Sequence, residues 1–502
     1  MAGIGIKLNR FFGKSSVSSY VAGAGYSVIT TVAPMIVVIG DIMLMRWALG
    51  YTDGTTYNNR ELFQVTILYI FMFTLLASSP FNAVLSKYVS DEIYKEQYSN
   101  IMAAFRVGIV LNMVLNCVLI IPFTLHEYYV GHVDIIYILA SIVCFIALSL
   151  TFYTVLYLSL CKDYGKISQF YVIGMAVAFF LSLFLVRIIG MEITLAMIIS
   201  LAVGFIVISS LSYALLRHYF SNNSRKYLDV LRYMFRFWKL VLANTFYTLG
   251  LFIHNFVFWN SGLRNVVVNS FVCAESYDFA TCLGMFTNLS ASILFVSLIE
   301  MHFNQRYKDF SQSIIGGRLI DIKKTKARMF RMLTEMLMTM VRIQFIVSTV
   351  IFLVCIIVLQ RLGFSGMIIQ LYPCLAAGYF MVYIMYAVFM FLYYFNDLDG
   401  ALMTSLIFCL VTLAGSIVSM KLDVIWYGLG LVIGSFLAWT YGYFRLKYIE
   451  NTLHIHIFCN GNILAKVKGK RPSGEVYHGV VVEDSRGYEK AKNVKIKKQK
   501  RR

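Results

Sequence analysis

Polar and charged side chains set in or at the edges of long apolar runs are where this 502-residue chain could do chemistry: Asp41, Asn244, His254, Asn255, Glu275, Asp278, Asn288 and Glu300. An ionisable group inside a membrane-length segment is costly to keep there, so each is a functional hypothesis by default. Asp41, within VVIGDIMLMRW, can pair with Arg46 five residues on or face a water-filled cavity. Asn244, His254 and Asn255 share one apolar segment, and Asn288, Ser290 and Ser292 the next. Together they make a polar strip that either lines an interior path or ties helices by hydrogen bonds. His254 would titrate near neutrality if it lined a cavity. Glu275 and Asp278 stand just before one apolar run and Glu300 closes it, acidic groups that suit a cationic cargo or a proton. These types and spacings point to binding and passage of a substrate, with no catalytic set.

Other chemistries are excluded. The segment LNRFFGKS carries Gly13, Lys14 and Ser15, but Leu8 stands where a phosphate-cradling loop needs its first glycine, and an apolar run follows it. NDLDG, from Asn396 to Gly400, has two carboxylates at D-x-D spacing but no nucleotide-binding domain around it, so it reads as a tight turn. The nine cysteines are scattered, most inside apolar blocks, with no metal-ligand spacing. No cofactor or metal is expected. Asn112 and Asn116, four apart, share one helix face, as do Glu335 and Arg342, seven apart; both pairs read as structural.

The elements that must position these residues are membrane helices. A soluble domain is about 45–50% apolar and about 25% charged, whereas this chain is 59% hydrophobic and 14% charged, with mean hydropathy +0.72. Apolar blocks of about 20 residues, the length that crosses a hydrocarbon core, fall near 18–46, 62–86, 104–124, 134–160, 169–188, 192–216, 241–259, 279–300, 333–358, 366–392, 401–420 and 424–443. The fold expected is therefore an all-α membrane protein of about twelve spans. The longest basic connection, 217–240, divides it into six-helix lobes at 1–216 and 241–450, followed by a basic tail, 451–502.

The formal charge of +19 is placed asymmetrically. One set of loops carries Lys87, Lys95, Arg106, Lys162, Lys166, six basic residues from Arg217 to Lys239, and Arg306 to Arg331; the other holds only Arg46, Arg60, Arg187, Arg264, Arg361 and Lys421. The positive-inside rule then puts both termini in the cytoplasm and the chain in the cytoplasmic membrane. The basic N-terminal stretch, MAGIGIKLNRFFGK, precedes an apolar block too long for a secretory signal and is read as retained. The five tryptophans, Trp47, Trp238, Trp259, Trp426 and Trp439, fall at or near span ends, as headgroup anchors would. In the tail, HIHIF and EVYHGVVVE alternate as strands do, and the terminal KAKNVKIKKQKRR is read as disordered and drawn to anionic lipid rather than to nucleic acid.

Four blocks in order, the opening MAGIGIKLNRFF, then SKYVSDEIY, AESYDFATCLGMFTNLSASILFVSLIEMHFNQRYKDF and RLKYIENTLHIHIFC, resemble the PelG family of exopolysaccharide export components over about residues 1–459. The chain departs from that family at Ala33-Pro34-Met35, where a Gly-Pro-Trp-like turn is expected, and in the basic extension beyond about residue 460. The resemblance implies a flippase-like carrier similar to the MOP superfamily, with two six-helix lobes around a central cavity. It further implies an amino-sugar, partly cationic polysaccharide as cargo, and a cytoplasmic glycosyltransferase with other membrane subunits as partners. Lys87, Asp91, Glu275, Tyr277, Asp278, Glu300 and Phe303 match the family blocks, and the family supplies no catalytic residues to carry over. A cation-coupled exchanger of small drugs, or a flippase of lipid-linked oligosaccharides, would use the same architecture.

Overall fold

The computed structural model describes residues 17–95, 97–161, 164–288, 303–361 and 366–460. The apolar runs fold as helices: α1 (Val17–Ala48), α2 (Tyr57–Tyr94), α3 (Ser99–Tyr129), α4 (Ile135–Cys161), α5 (Tyr164–Arg187), α6 (Ile193–Tyr219), the short α7 (Tyr227–Arg236) and α8 (Trp238–Phe258). After a hairpin of β1 (Asn265–Val267) and β2 (Phe271–Cys273) come α9 (Glu275–Asn288), α10 (Asn304–Gly316), α11 (Leu319–Arg361), α12 (Gly366–Tyr394), α13 (Leu398–Ser419) and α14 (Leu429–Asn460). Among the described residues, 10 helices are long and apolar enough to cross a membrane. Of the two other expected spans, the first is helical as α1 and the eighth begins as α9, its residues beyond Asn288 lying outside the described residues. With 38 residues in α2 and 43 in α11, at 1.5 Å per residue these helices outrun a core of about 30 Å. Their polar ends therefore lie beyond the hydrocarbon.

The chain forms two compact units, Met1–Met301 with Met336–Gly442, and His302–Glu335 with Tyr443–Arg502. In the first, α5 and α6 pack closely because small residues meet: a Cβ on Gly174 would come within 2.7 Å of the Gly204 carbonyl and 2.4 Å of Ile208. In lipid, where apolar association gives no net drive, such backbone approach supplies the packing energy. Asn112 and Asn116 on α3 both donate to Ser149 Oγ on α4, at 3.0 and 2.8 Å.

The antiparallel hairpin pairs Asn265 with Cys273, Val266 with Val272 and Val267 with Phe271. Its turn holds Val268 and Asn269 at positive φ, a conformation Asn tolerates and a β-branched valine adopts only when its surroundings impose it. Burial pushes the Cys273 thiol up to about 12, so it packs as a neutral hydrophobe. At the opposite end of the bundle, α7 buries Val230 and Met234. It docks through Tyr233, whose hydroxyl donates to Asp91, and Lys87 lies over the Phe237 ring at 5.3 Å. Burial, with the Asp91 carboxylate beside it, raises the Tyr233 hydroxyl well above the usual range.

The second unit buries Phe303, Phe310, Met329 and Leu333, with Leu446, Ile449 and Leu453 from α14. Arg306, Arg328 and Arg331 line a cleft in it together with Glu335. The strand pattern of HIHIF is overturned: His454 to Phe458 continue α14. Alternation over five residues fits a helix equally well once an apolar helix leads into it. The EVYHGVVVE segment lies outside the described residues.

Candidate functional site

The polar residues at the end of α8 and the start of α9 meet because α9 starts directly after the hairpin and runs back along α8. Asp278, in the first turn of α9, is buried. It accepts from Asn255 Nδ2 at 2.7 Å, from Trp259 Nε1 at 3.1 and 3.0 Å, and from the Ala274 backbone N–H at 3.0 Å. Hydrogen bonds to an ionised acceptor are the stronger kind, and together they clasp the end of α8 to the start of α9. Beside this contact, His254 is fully buried between two tyrosines, with Nδ1 2.8 Å from the Tyr277 hydroxyl and Nε2 3.2 Å from that of Tyr379 on α12. Both of its ring nitrogens are engaged, and none of its surface is exposed.

Further along α9, Asn288 donates to the carbonyls of Gly284 and Ala376, each at 3.0 Å, and accepts from Ser348 Oγ at 2.7 Å and Gln344 Nε2 at 3.4 Å. Three helices, α9, α11 and α12, are joined at this one amide. Asn244 donates to the Ser79 carbonyl, the residue before Pro80 in α2, and so ties α8 to α2. The two helices meet again toward the hairpin, where Tyr69 stacks on Trp259 at 5.0 Å with planes 9° apart. The Tyr69 hydroxyl donates to the Val272 carbonyl at 2.6 Å and accepts from the Val272 N–H at 3.1 Å.

Asp41 stands apart from this network. It is buried in α1, and its Oδ2 makes no hydrogen bond among the described residues. Of the two alternatives the sequence left open for Asp41, the pairing with Arg46 is not formed; the Arg46 guanidinium lies over the Tyr51 ring at 4.5 Å instead. Five residues along a helix turn the two side chains about 140° apart, a poorer match than three or four. Glu275 is exposed at the start of α9, and Glu335 and Arg342 are exposed on α11. Glu300, Ser290 and Ser292 lie outside the described residues.

The structure therefore brings together Asn255 and Asp278, and beside them His254, while Asn244, Asn288 and Asp41 occupy separate positions. Sequence reasoning missed the partners. Trp259 was read as a headgroup anchor but is buried on Asp278; its place four residues after Asn255 was the available signal. Gln344 and Ser348, four apart in an apolar run, carried the same signal as Asn112 and Asn116. Tyr379 and Tyr69 carried none, in a chain with 34 tyrosines.

Comparison with known proteins adds to this geometry. The family model described as "PelG: Putative exopolysaccharide Exporter (EPS-E)" matches residues 1–458. No curated protein matches the chain in sequence. Among solved structures, an outward-facing multidrug resistance MATE family transporter of the MOP superfamily superposes with TM-score 0.57 at 12% identity, over 85% of this chain and 96% of that one. A MOP superfamily transporter from Pyrococcus furiosus superposes with TM-score 0.53 at 12% identity, over 85% and 96%. Identity that low shows the fold alone: an all-helical, MATE-like membrane transporter fold.

Proposed function

Because the chain belongs to the PelG family of exopolysaccharide exporters, we propose that it carries an amino-sugar polysaccharide across the cytoplasmic membrane as a cytoplasmic glycosyltransferase makes it. The observation that carries this reading is that the family match runs through nearly every described helix and that those helices adopt a transporter fold. On this reading the lobes are 1–216 and 241–450, joined by the basic linker 217–240. The loops rich in Lys and Arg, both termini and the tail 451–502 face the cytoplasm, where the synthase works. Other membrane subunits complete the export complex. Asp41, Asn244, His254, Asn255, Glu275, Asp278, Asn288 and Glu300 are the proposed substrate-path residues. Their roles divide: Glu275, which is exposed, and Glu300 suit contact with a cationic polymer, whereas Asp278, His254 and Asn288 shape the path by fixing α8, α9, α11 and α12.

Deleting the gene in the native host and measuring amino-sugar polymer inside and outside the cell tests this. Secreted polymer should fall to background, and unchanged secretion would overturn the reading.

One observation favours a second reading, a cation-coupled exchanger or lipid-linked oligosaccharide flippase: the buried Asp41, whose Oδ2 has no hydrogen-bond partner among the described residues. A carboxylate so placed can take up and release a proton or sodium ion during a transport cycle. Ion-gradient-driven uptake into vesicles that is abolished by Asp41→Asn would support that reading over the first.

A further inference from the structure

The bundle has a cleft in its wall that the transport reading does not use. As far as Asn116, α3 is anchored on α4, but from Cys117 to His126 none of its residues is buried. Pro122, in the middle of this stretch, removes a helix N–H. Between these last turns of α3 and the facing sides of α2 and α4 lies a cavity of about 400 Å³, walled by Ile70, Phe73, Phe123, Ile138, Phe145 and the hairpin's Phe271.

What could occupy it is limited by its chemistry. Apart from Thr124, the polar groups at its edge are already engaged: Tyr137 donates to Thr66 Oγ1 at 3.2 Å and Ser141 to the Tyr137 carbonyl at 2.8 Å, while Glu127 accepts from Ser270. Tyr69 is held by Val272. The lining offers hydrocarbon, which suits no sugar. It is also continuous with the membrane-facing surface. An apolar groove along the outer face of α3, through Val110, Val114, Val118 and Ile121, reaches the cavity at Pro122, which lines both. Pro122 and Phe123 are themselves exposed. In a multi-pass membrane protein that outer surface meets acyl chains.

We propose that the cleft between α2, α3 and α4 is a lateral binding site for the hydrocarbon tail of a membrane lipid, seated against the hairpin through Phe271. Because Tyr69 also lines the cavity while its hydroxyl holds Val272, an occupied cleft supports the hairpin in its docked position.

The test is photolabelling of the full-length protein in nanodiscs containing a phospholipid with a diazirine on its acyl chain, followed by peptide mapping. Labelling at Ile138 and Phe145 should exceed that at Phe180, an exposed residue on the outside of α5, by about tenfold. Ser141→Phe, which fills the cavity, and Leu119→Trp, which narrows its mouth, should each bring that labelling down to the Phe180 level and leave Phe180 unchanged. Either variant suffices if the other fails to fold. Labelling at Ile138 and Phe145 no greater than at Phe180, or labelling that survives substitution in the folded variant, would overturn the proposal. Neither outcome depends on what the protein exports.

Discussion

Asp278 and Asp41 are both buried aspartates in helices of one bundle, and they are opposites. Asp278 is saturated, with donors from Asn255, Trp259 and the Ala274 backbone. Asp41 leaves one oxygen without a donor among the described residues. A buried carboxylate held on both oxygens by three donors has less capacity left for cargo and more use in holding helices. One with an unfilled site retains a reason to bind something that comes and goes. The pair teaches that burial of a charge in a membrane helix does not by itself identify a transport residue. The count of its internal partners separates the two cases.

Removing Asp278 should give the largest effect. Asp278→Ala leaves the Trp259 and Asn255 donors and the Ala274 N–H without their acceptor, at about 1–3 kcal/mol for a buried group so abandoned. Purified protein should melt several degrees lower, and polymer export should fall in proportion to the folded protein that remains. An unchanged melting curve would dissolve the contrast between the two aspartates.

Asp41→Asn comes next and should behave in the reverse way. It removes a charge that has no described partner, so the melting temperature should hold or rise slightly. Export per folded molecule should nonetheless drop severalfold, measured as secreted polymer normalised to the amount of protein in the membrane. A variant that loses stability as Asp278→Ala does, with normal export per molecule, would make both aspartates structural.

The membrane architecture was legible in the residues because its signals are redundant: block length, depleted charge and loop asymmetry all report the same bilayer. The candidate site was legible only as a set of polar residues inside apolar runs. Asn255, His254 and Asp278 were visible, but their partnerships were not, since Tyr379 lies 125 residues from His254 and no local period links α8 to α12. Trp259 was misassigned because a tryptophan at a helix end has two uses, headgroup anchoring and donation of its indole N–H, and only the neighbouring helix decides between them. The hairpin was missed for a different reason. Each of its strands has three residues, too few for alternation to show, and its turn uses Val268 and Asn269 at positive φ without the glycine that advertises such turns.

The smallest effect expected sharpens the rule at its neutral limit. Asn112 and Asn116 each donate to the same Ser149 Oγ, and each leaves its own Oδ1 without a hydrogen bond. Removing either amide therefore leaves Ser149 still bonded and deletes one unmatched carbonyl oxygen with it, so the loss and the relief oppose each other. Asn112→Ala and Asn116→Ala should each shift stability by less than about 0.6 kcal/mol, the average for a hydrogen bond between membrane helices. The double variant deprives Ser149 of both donors and should cost more than the sum of the two. Thermal melts of the four proteins in one detergent give the coupling directly. Strict additivity would mean that the two amides act independently, and that sharing one acceptor confers no redundancy on the α3–α4 contact.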